Sequence, residues 1–199
     1  MPDLPTRDGP LAPGSTIGIL GGGQLGRMLA MAAAQLGFHT HIYSDKPGPA
    51  FDVAITHTVA AYEDASAIAE FAKSVDVVTY EFENIPRTTA EIAMQHASLH
   101  PSLKALETSQ DRIVEKAFLS ELGIPVAPYA VVTRDTKKTS TCEAPREMPQ
   151  FPALLKTARL GYDGKGQIPI KAAEDLADAH AQIGLVPVSY THLTLPTKA

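Results

Sequence analysis

Five residues in a row, Thr16-Ile17-Gly18-Ile19-Leu20, read as a buried strand and run straight into Gly21-Gly22-Gly23-Gln24-Leu25-Gly26, a turn that opens onto an apolar stretch from Arg27 to Leu36. Gly37 stops that helix, because a residue without a Cβ takes the left-handed conformation at a helix C-terminus at little cost. The alternation continues: His39 to Tyr43 reads as a second strand, Ala65 to Ser74 as a helix, Val75 to Tyr80 as a third strand and Thr88 to His96 as another helix. Strands separated by helices pair in parallel, so the pattern predicts an α/β domain over residues 16–108, behind a loose arm at residues 1–15.

A new helix is expected from Thr108 to Leu122, with the Thr108 hydroxyl and Asp111 as a capping-box-like pair at its start and Gly123, Ile124 and Pro125 at its end. The domain boundary is therefore set just before Ser109. Val126 to Thr133 looks extended, Arg134 to Gln150 is charged and proline-containing with no clean period, and Ala153 to Lys156 reads as a strand leading into a glycine-rich loop. Residues 109–185 are read as the opening of a second, incomplete domain. From residue 186 onward the composition changes: the stretch to Ala199 has no charge before Lys198 and continues no earlier pattern. It resembles a translated sequencing adaptor, so residues 186–199 are expected to be foreign and the protein truncated, the alternative being a genuine β-rich terminus.

Bulk properties narrow the classes. A hydrophobic fraction of 44% in 199 residues supports a buried core, and a net charge of -5 with a pI near 5.8 argues against broad nucleic-acid binding while leaving room for local basic loops. The run from Met28 to Leu36 is interrupted by Gln35 and too short to span a bilayer, so no membrane partner is expected. The single cysteine, Cys142, excludes an internal disulfide and a cysteine-based zinc site, which suits a reducing cytoplasm. The histidines show no H-x-x-x-H or H-E-x-x-H spacing, so no histidine metal site is expected.

Three clusters carry candidate chemistry. Gly21-x-Gly23-x-x-Gly26, following a strand and opening a helix, with Asp45 nineteen residues beyond, fits a dinucleotide fingerprint, though the same turn offers amides to any phosphate. Glu81 and Glu83 sit at the carboxyl end of a strand, where α/β sheets place their ligands; strand alternation would aim both to one side, and the plain alternative is that they cap the next helix. The third cluster is Lys156 with Gly161, Tyr162, Asp163, Gly164, Lys165, Gly166 and Gln167: basic side chains beside glycines whose backbone amides can approach an anion. It is not a P-loop, and a glycine-rich hairpin with solvated lysines is its plain alternative.

Four strings in order, Gly21 to Met28, Tyr80 to Pro86, Gln110-Asp111-Arg112 through Glu115-Lys116, and Lys156-Thr157 with Leu160 to Gln167, closely resemble the 5-(carboxyamino)imidazole ribonucleotide synthase family of ATP-grasp ligases. The resemblance implies a pre-ATP-grasp α/β domain followed by the truncated start of an ATP-grasp domain. It implies that Arg112, Lys156 and the loop Gly161, Tyr162, Asp163, Gly164, Lys165, Gly166 and Gln167 bind ATP, that Tyr162, Asp163 and Lys165 act in catalysis, and that Gln24, Leu25 and Glu81 bind the ribonucleotide. The implied reaction is ATP-dependent carboxylation of aminoimidazole ribonucleotide with bicarbonate in purine synthesis, with Mg²⁺ held by residues outside this chain and a homodimeric full-length enzyme. Ala158 departs from the family, which often has an arginine there. On this reading the fragment itself is inactive. A nicotinamide-dependent dehydrogenase, resting on the glycine turn and Asp45, and a non-catalytic nucleotide-binding module are the alternatives.

Overall fold

A computed structural model describes residues 9–132, 151–159, 166–172, 174–183 and 188–192. The chain divides into two compact units, Met1–Glu107 and Thr108–Ala199.

The first unit is a parallel sheet of β1 (Thr16–Leu20), β2 (His39–Ser44), β3 (Thr56–Val59), β4 (Val77–Tyr80) and β5 (Ser98–Leu99), in the order β3-β2-β1-β4-β5. Helices α1 (Gln24–Gln35), α2 (Ala65–Lys73) and α3 (Arg87–Met94) make the crossovers, joined by a 3-10 turn at Pro49–Asp52. Alternation across the strands divides the core between the two faces of the sheet. Ile19 and Ile42 pack with Ala30 of α1 and Ala50, whereas Leu20, Tyr43 and Val78 pack with Ile68, Phe71 and Ala72 of α2 and Ala90 and Ala93 of α3. The order places the carboxyl ends of β1 and β4 side by side, where the two chain reversals that carry Gly21–Gly26 and Glu81 emerge.

Helix α1 begins at Gln24, earlier than the apolar period suggests, because Gly23 is already its N-cap. Two strands escape the hydrophobic pattern. Edge strand β3, Thr56-His57-Thr58-Val59, has no buried residue, and β5 is only two residues long.

The helix expected from Thr108 to Leu122 is instead two: α4 (Leu103–Gln110) and α5 (Arg112–Glu121). Thr108 lies buried within α4 and caps nothing. Asp111 takes extended backbone between them, and its carboxylate accepts from the amides of Ile113 at 2.9 Å and Val114 at 3.3 Å, giving α5 its own start.

The second unit holds an antiparallel sheet of β6 (Tyr129–Val132), β7 (Ala153–Thr157), β8 (Gln167–Ile170) and β9 (Val188–His192), in the order β6-β9-β7-β8, with α6 (Asp175–Ile183) beside β8. Leu155 and Ile170 are fully buried and pack with Ala130, Ala153 and Ala179. β7 is paired on both sides, by β8 and by β9, the latter drawn from the segment expected to be foreign and running between β7 and β6.

Candidate functional site

In the first unit the glycine turn and Glu81 form one constellation. Glu81 follows the last residue of β4; its amide donates to the Leu20 carbonyl at 3.0 Å, and its Oε1 accepts from the Gly23 amide at 2.9 Å. Gly21 makes room for this. Its φ is +128°, and a Cβ there would lie 2.6 Å from Glu81 Cγ, so a side chain at Gly21 would push the carboxylate off the turn. An open cleft of about 480 Å³ is lined by Leu25, Met28, Leu29, Ala32 and Glu81, apolar walls around a single carboxylate. Gln24 and Leu25 are the first two residues of α1, both exposed, and their amides belong to the helix end that lacks intrahelical acceptors. The structure thus brings Leu25 and Glu81 to one cleft, and Gln24 is not among the residues lining it.

Glu83 does not share this role. The strand ends at Tyr80, so alternation no longer holds beyond it, and Glu83 lies exposed in the turn that follows. Asp45 stands exposed just past β2, where the Ser44 hydroxyl donates to it at 3.4 Å. Tyr62, which the sequence pattern does not single out, lies within electrostatic reach of Asp45 and Glu81. It is 7% exposed, stacks on Phe82 at 5.8 Å, and has its phenol pushed up to about 12, mainly by burial and then by the charges of Asp45 and Glu81, against a hydrogen bond with Ser44. Its only sequence signal is an aromatic residue in an otherwise polar loop. The dinucleotide reading would use the Gly23 amide for a pyrophosphate, and the Glu81 carboxylate already accepts from that amide.

In the second unit the basic residues gather where α5 meets the end of β7. Arg112 opens α5, and its amide donates to the Ala158 carbonyl at 2.9 Å. Ala158 is itself buried, so the position that departs from the family pattern holds Arg112 through its backbone. Lys156 is half-buried, and its ammonium is pushed below the usual lysine range by burial and by Arg112. Lys116, one turn beyond Arg112, is lowered by burial, by Lys156 and by Arg112, against a smaller opposing pull from Glu115. Arg159 donates to Gln110 Oε1 at 2.6 Å. Gln167 pairs with Lys156 across β7 and β8, and Gly166, at φ +61°, accepts from the Thr157 amide at 2.9 Å. A Cβ on Gly166 would lie 2.6 Å from the Thr157 hydroxyl, so the loop's return needs a glycine. Gly161, Tyr162, Asp163, Gly164 and Lys165 lie outside the described residues. Among the described residues no cluster of three or more His, Cys, Asp or Glu side chains could hold a metal ion, and no helix is long and apolar enough to cross a membrane.

A parallel sheet with a glycine turn, followed by a unit whose basic strand end leads into a glycine-rich loop, defines the class: a ribonucleotide synthetase preATP-grasp domain, whose family model matches residues 14–110, joined to an ATP-grasp domain, matched over residues 117–188. The chain is 47% identical over 180 residues to the N5-carboxyaminoimidazole ribonucleotide synthase of Brucella melitensis, covering 89% of this chain and 49% of that protein. Among solved structures, an N5-carboxyaminoimidazole ribonucleotide synthetase in complex with ADP superposes with a TM-score of 0.80 at 36% identity, covering 92% of this chain and 48% of the other. The Aspergillus clavatus N5-carboxyaminoimidazole synthase with ADP and 5-aminoimidazole ribonucleotide matches with a TM-score of 0.75 at 25% identity, covering 92% and 47%. The chain belongs to the N5-carboxyaminoimidazole ribonucleotide synthase family of ATP-grasp proteins. It spans about half the length of the curated relatives it matches.

Proposed function

We propose that the protein carrying this chain carboxylates 5-aminoimidazole ribonucleotide, using ATP and bicarbonate. The observation that carries the reading is the hooking of Arg112, through its amide on the Ala158 carbonyl, onto the end of the strand that bears Lys156, whose ammonium is lowered by burial and then by Arg112. Cations held against one another in a partly buried place gain most from a polyanion, and a triphosphate is the polyanion this family consumes. Arg112, Lys156 and the loop from Gly161 through Gln167 bind its phosphates. Tyr162 and Lys165 orient the bicarbonate-derived anion, and Asp163 holds the substrate amine.

The chemistry proceeds by phosphorylation of bicarbonate to carboxyphosphate, whose breakdown supplies CO₂ to the exocyclic amine and releases ADP and phosphate. Glu81, fixed on the Gly23 amide, keeps lone pairs for a ribose hydroxyl or an amine, while the first amides of α1, at Gln24 and Leu25, suit the ribonucleotide phosphate. Mg²⁺ would offset the phosphate charge, and the described residues supply no ligand cluster for it. The same reading includes a homodimer, testable by sedimentation, and a cytoplasmic location, supported by the single cysteine.

Isothermal titration with ATP tests the assignment. Lys156→Ala should weaken ATP binding by about tenfold to a hundredfold, the worth of a charge-assisted phosphate contact, while leaving ribonucleotide binding nearly unchanged. Equal ATP affinity in the two proteins would remove Lys156 from the site.

A further inference from the structure

Lys116 is held in place more firmly than a surface lysine requires. It lies at i+4 from Arg112, so the two share one face of α5, and the Arg112 amide on the Ala158 carbonyl pins that face to the end of the strand bearing Lys156. Its Nζ donates to the Ala127 carbonyl at 3.3 Å and stands 4.9 Å over the Tyr129 ring. A neutral carbonyl and an aromatic face orient the ammonium without neutralising it.

We propose, resting on the ATP reading above, that Lys116 is a third phosphate-binding cation, positioned by Ala127 and Tyr129 to complete a cradle with Arg112 and Lys156 for a polyphosphate chain. The plain alternative is a lysine that merely ties α5 to the start of β6. The two differ in electrostatics. A tie alone gives no reason to hold a half-buried ammonium where two further cations repel it, and Glu115, the carboxylate that acts on it, has the weakest influence of the groups that do. The charged and titratable groups bearing on Lys116 are Arg112 and Glu115 on α5 and Lys156 on β7, with the Tyr129 ring of β6 beneath it. A bound polyanion reverses the balance and raises the lysine's proton affinity. Binding then takes up protons, and affinity falls as pH rises from the depressed free value toward and beyond the ordinary lysine range.

The test is isothermal titration of the 199-residue chain with ATP and, separately, with inorganic tripolyphosphate, between pH 8 and about 10.5, a span set by the ordinary lysine value. Wild type, Lys116→Gln, Lys116→Arg and Lys156→Ala are compared, with thermal midpoints recorded for each. Lys116→Gln should lose about tenfold in affinity for both probes, as expected for one charge-assisted contact, and should show a shallower decline with pH. Lys116→Arg should restore affinity while flattening the pH profile, because guanidinium does not titrate in this range. If Lys156→Ala weakens binding but Lys116→Gln does not, the inference fails and the ATP reading stands. If neither substitution weakens binding, or wild type binds neither probe, both fail. A lower thermal midpoint in Lys116→Gln with unchanged affinity and pH profile would make Lys116 a tie and nothing more.

Discussion

At the scale of single residues, one Glu81 carboxylate oxygen holds the glycine turn, and the cleft beside it is otherwise apolar. If Glu81 binds the ribonucleotide, Glu81→Ala should weaken binding of 5-aminoimidazole ribonucleotide by about tenfold to a hundredfold, the loss of a hydrogen bond to a charged acceptor. Glu81→Gln should lose less, because its amide oxygen can still accept from Gly23. Retained affinity in Glu81→Ala, measured by calorimetric titration, would reduce Glu81 to a brace for the turn. The sequence made Glu81 visible because an acid at the end of a strand in an α/β sheet has few structural reasons to be there. It did not separate Glu81 from Glu83, since the distinction depends on where β4 stops. Tyr62 was hidden because a single loop aromatic carries no period, and its value lies in which acids fold back onto it.

Local hydrogen bonds redraw the elements where the hydrophobic pattern is weak. The central strands β1, β2 and β4 were legible because burial demands apolar runs, whereas β3 and β5 lie at the sheet edges and need none. The break between α4 and α5 is written in one side chain. Asp111→Ala should cost about 1 kcal/mol in unfolding free energy, the usual worth of an N-cap, and should speed amide exchange at Ile113 and Val114. Unchanged exchange at both amides would show that the cap does not hold the helix start.

His41 on β2 gives the same scale a pH signature. Its ring nitrogens lie 2.9 Å from the Ser74 and Thr58 hydroxyls, and burial, with a smaller contribution from His57, pushes its pKa below 6.5. The unfolded chain therefore binds the proton more readily, so this group's contribution to stability is full above about pH 6.5 and is lost as pH falls from there toward the depressed folded value. Thermal midpoints of wild type and His41→Gln should converge as pH drops through that range. A constant gap between them would show that His41 titrates normally.

For the whole molecule, each unit carries its own core, Leu20, Tyr43 and Phe71 in the first and Leu155 and Ile170 in the second. The ordering of strands around β1 was legible as far as parallel pairing, because alternating strands and helices leave little other choice. The placement of β9 was not. Val188–His192 has no charge and no continuity with what precedes it, yet it pairs with two neighbours through backbone hydrogen bonds that any such residues can make. Arg112 and Lys156 are far apart in sequence and are brought together by the hooking of α5 onto the strand end, so the expectation that they act together rests on family resemblance and not on spacing.

The most direct test of the function is an assay of ADP release by the protein expressed from its whole reading frame, with each substrate omitted in turn. ADP release should require both 5-aminoimidazole ribonucleotide and bicarbonate, label from ¹⁴C-bicarbonate should enter an acid-labile product, and Asp163→Asn should abolish that transfer. ADP release that is indifferent to the ribonucleotide, or product formation without ATP, would contradict the account.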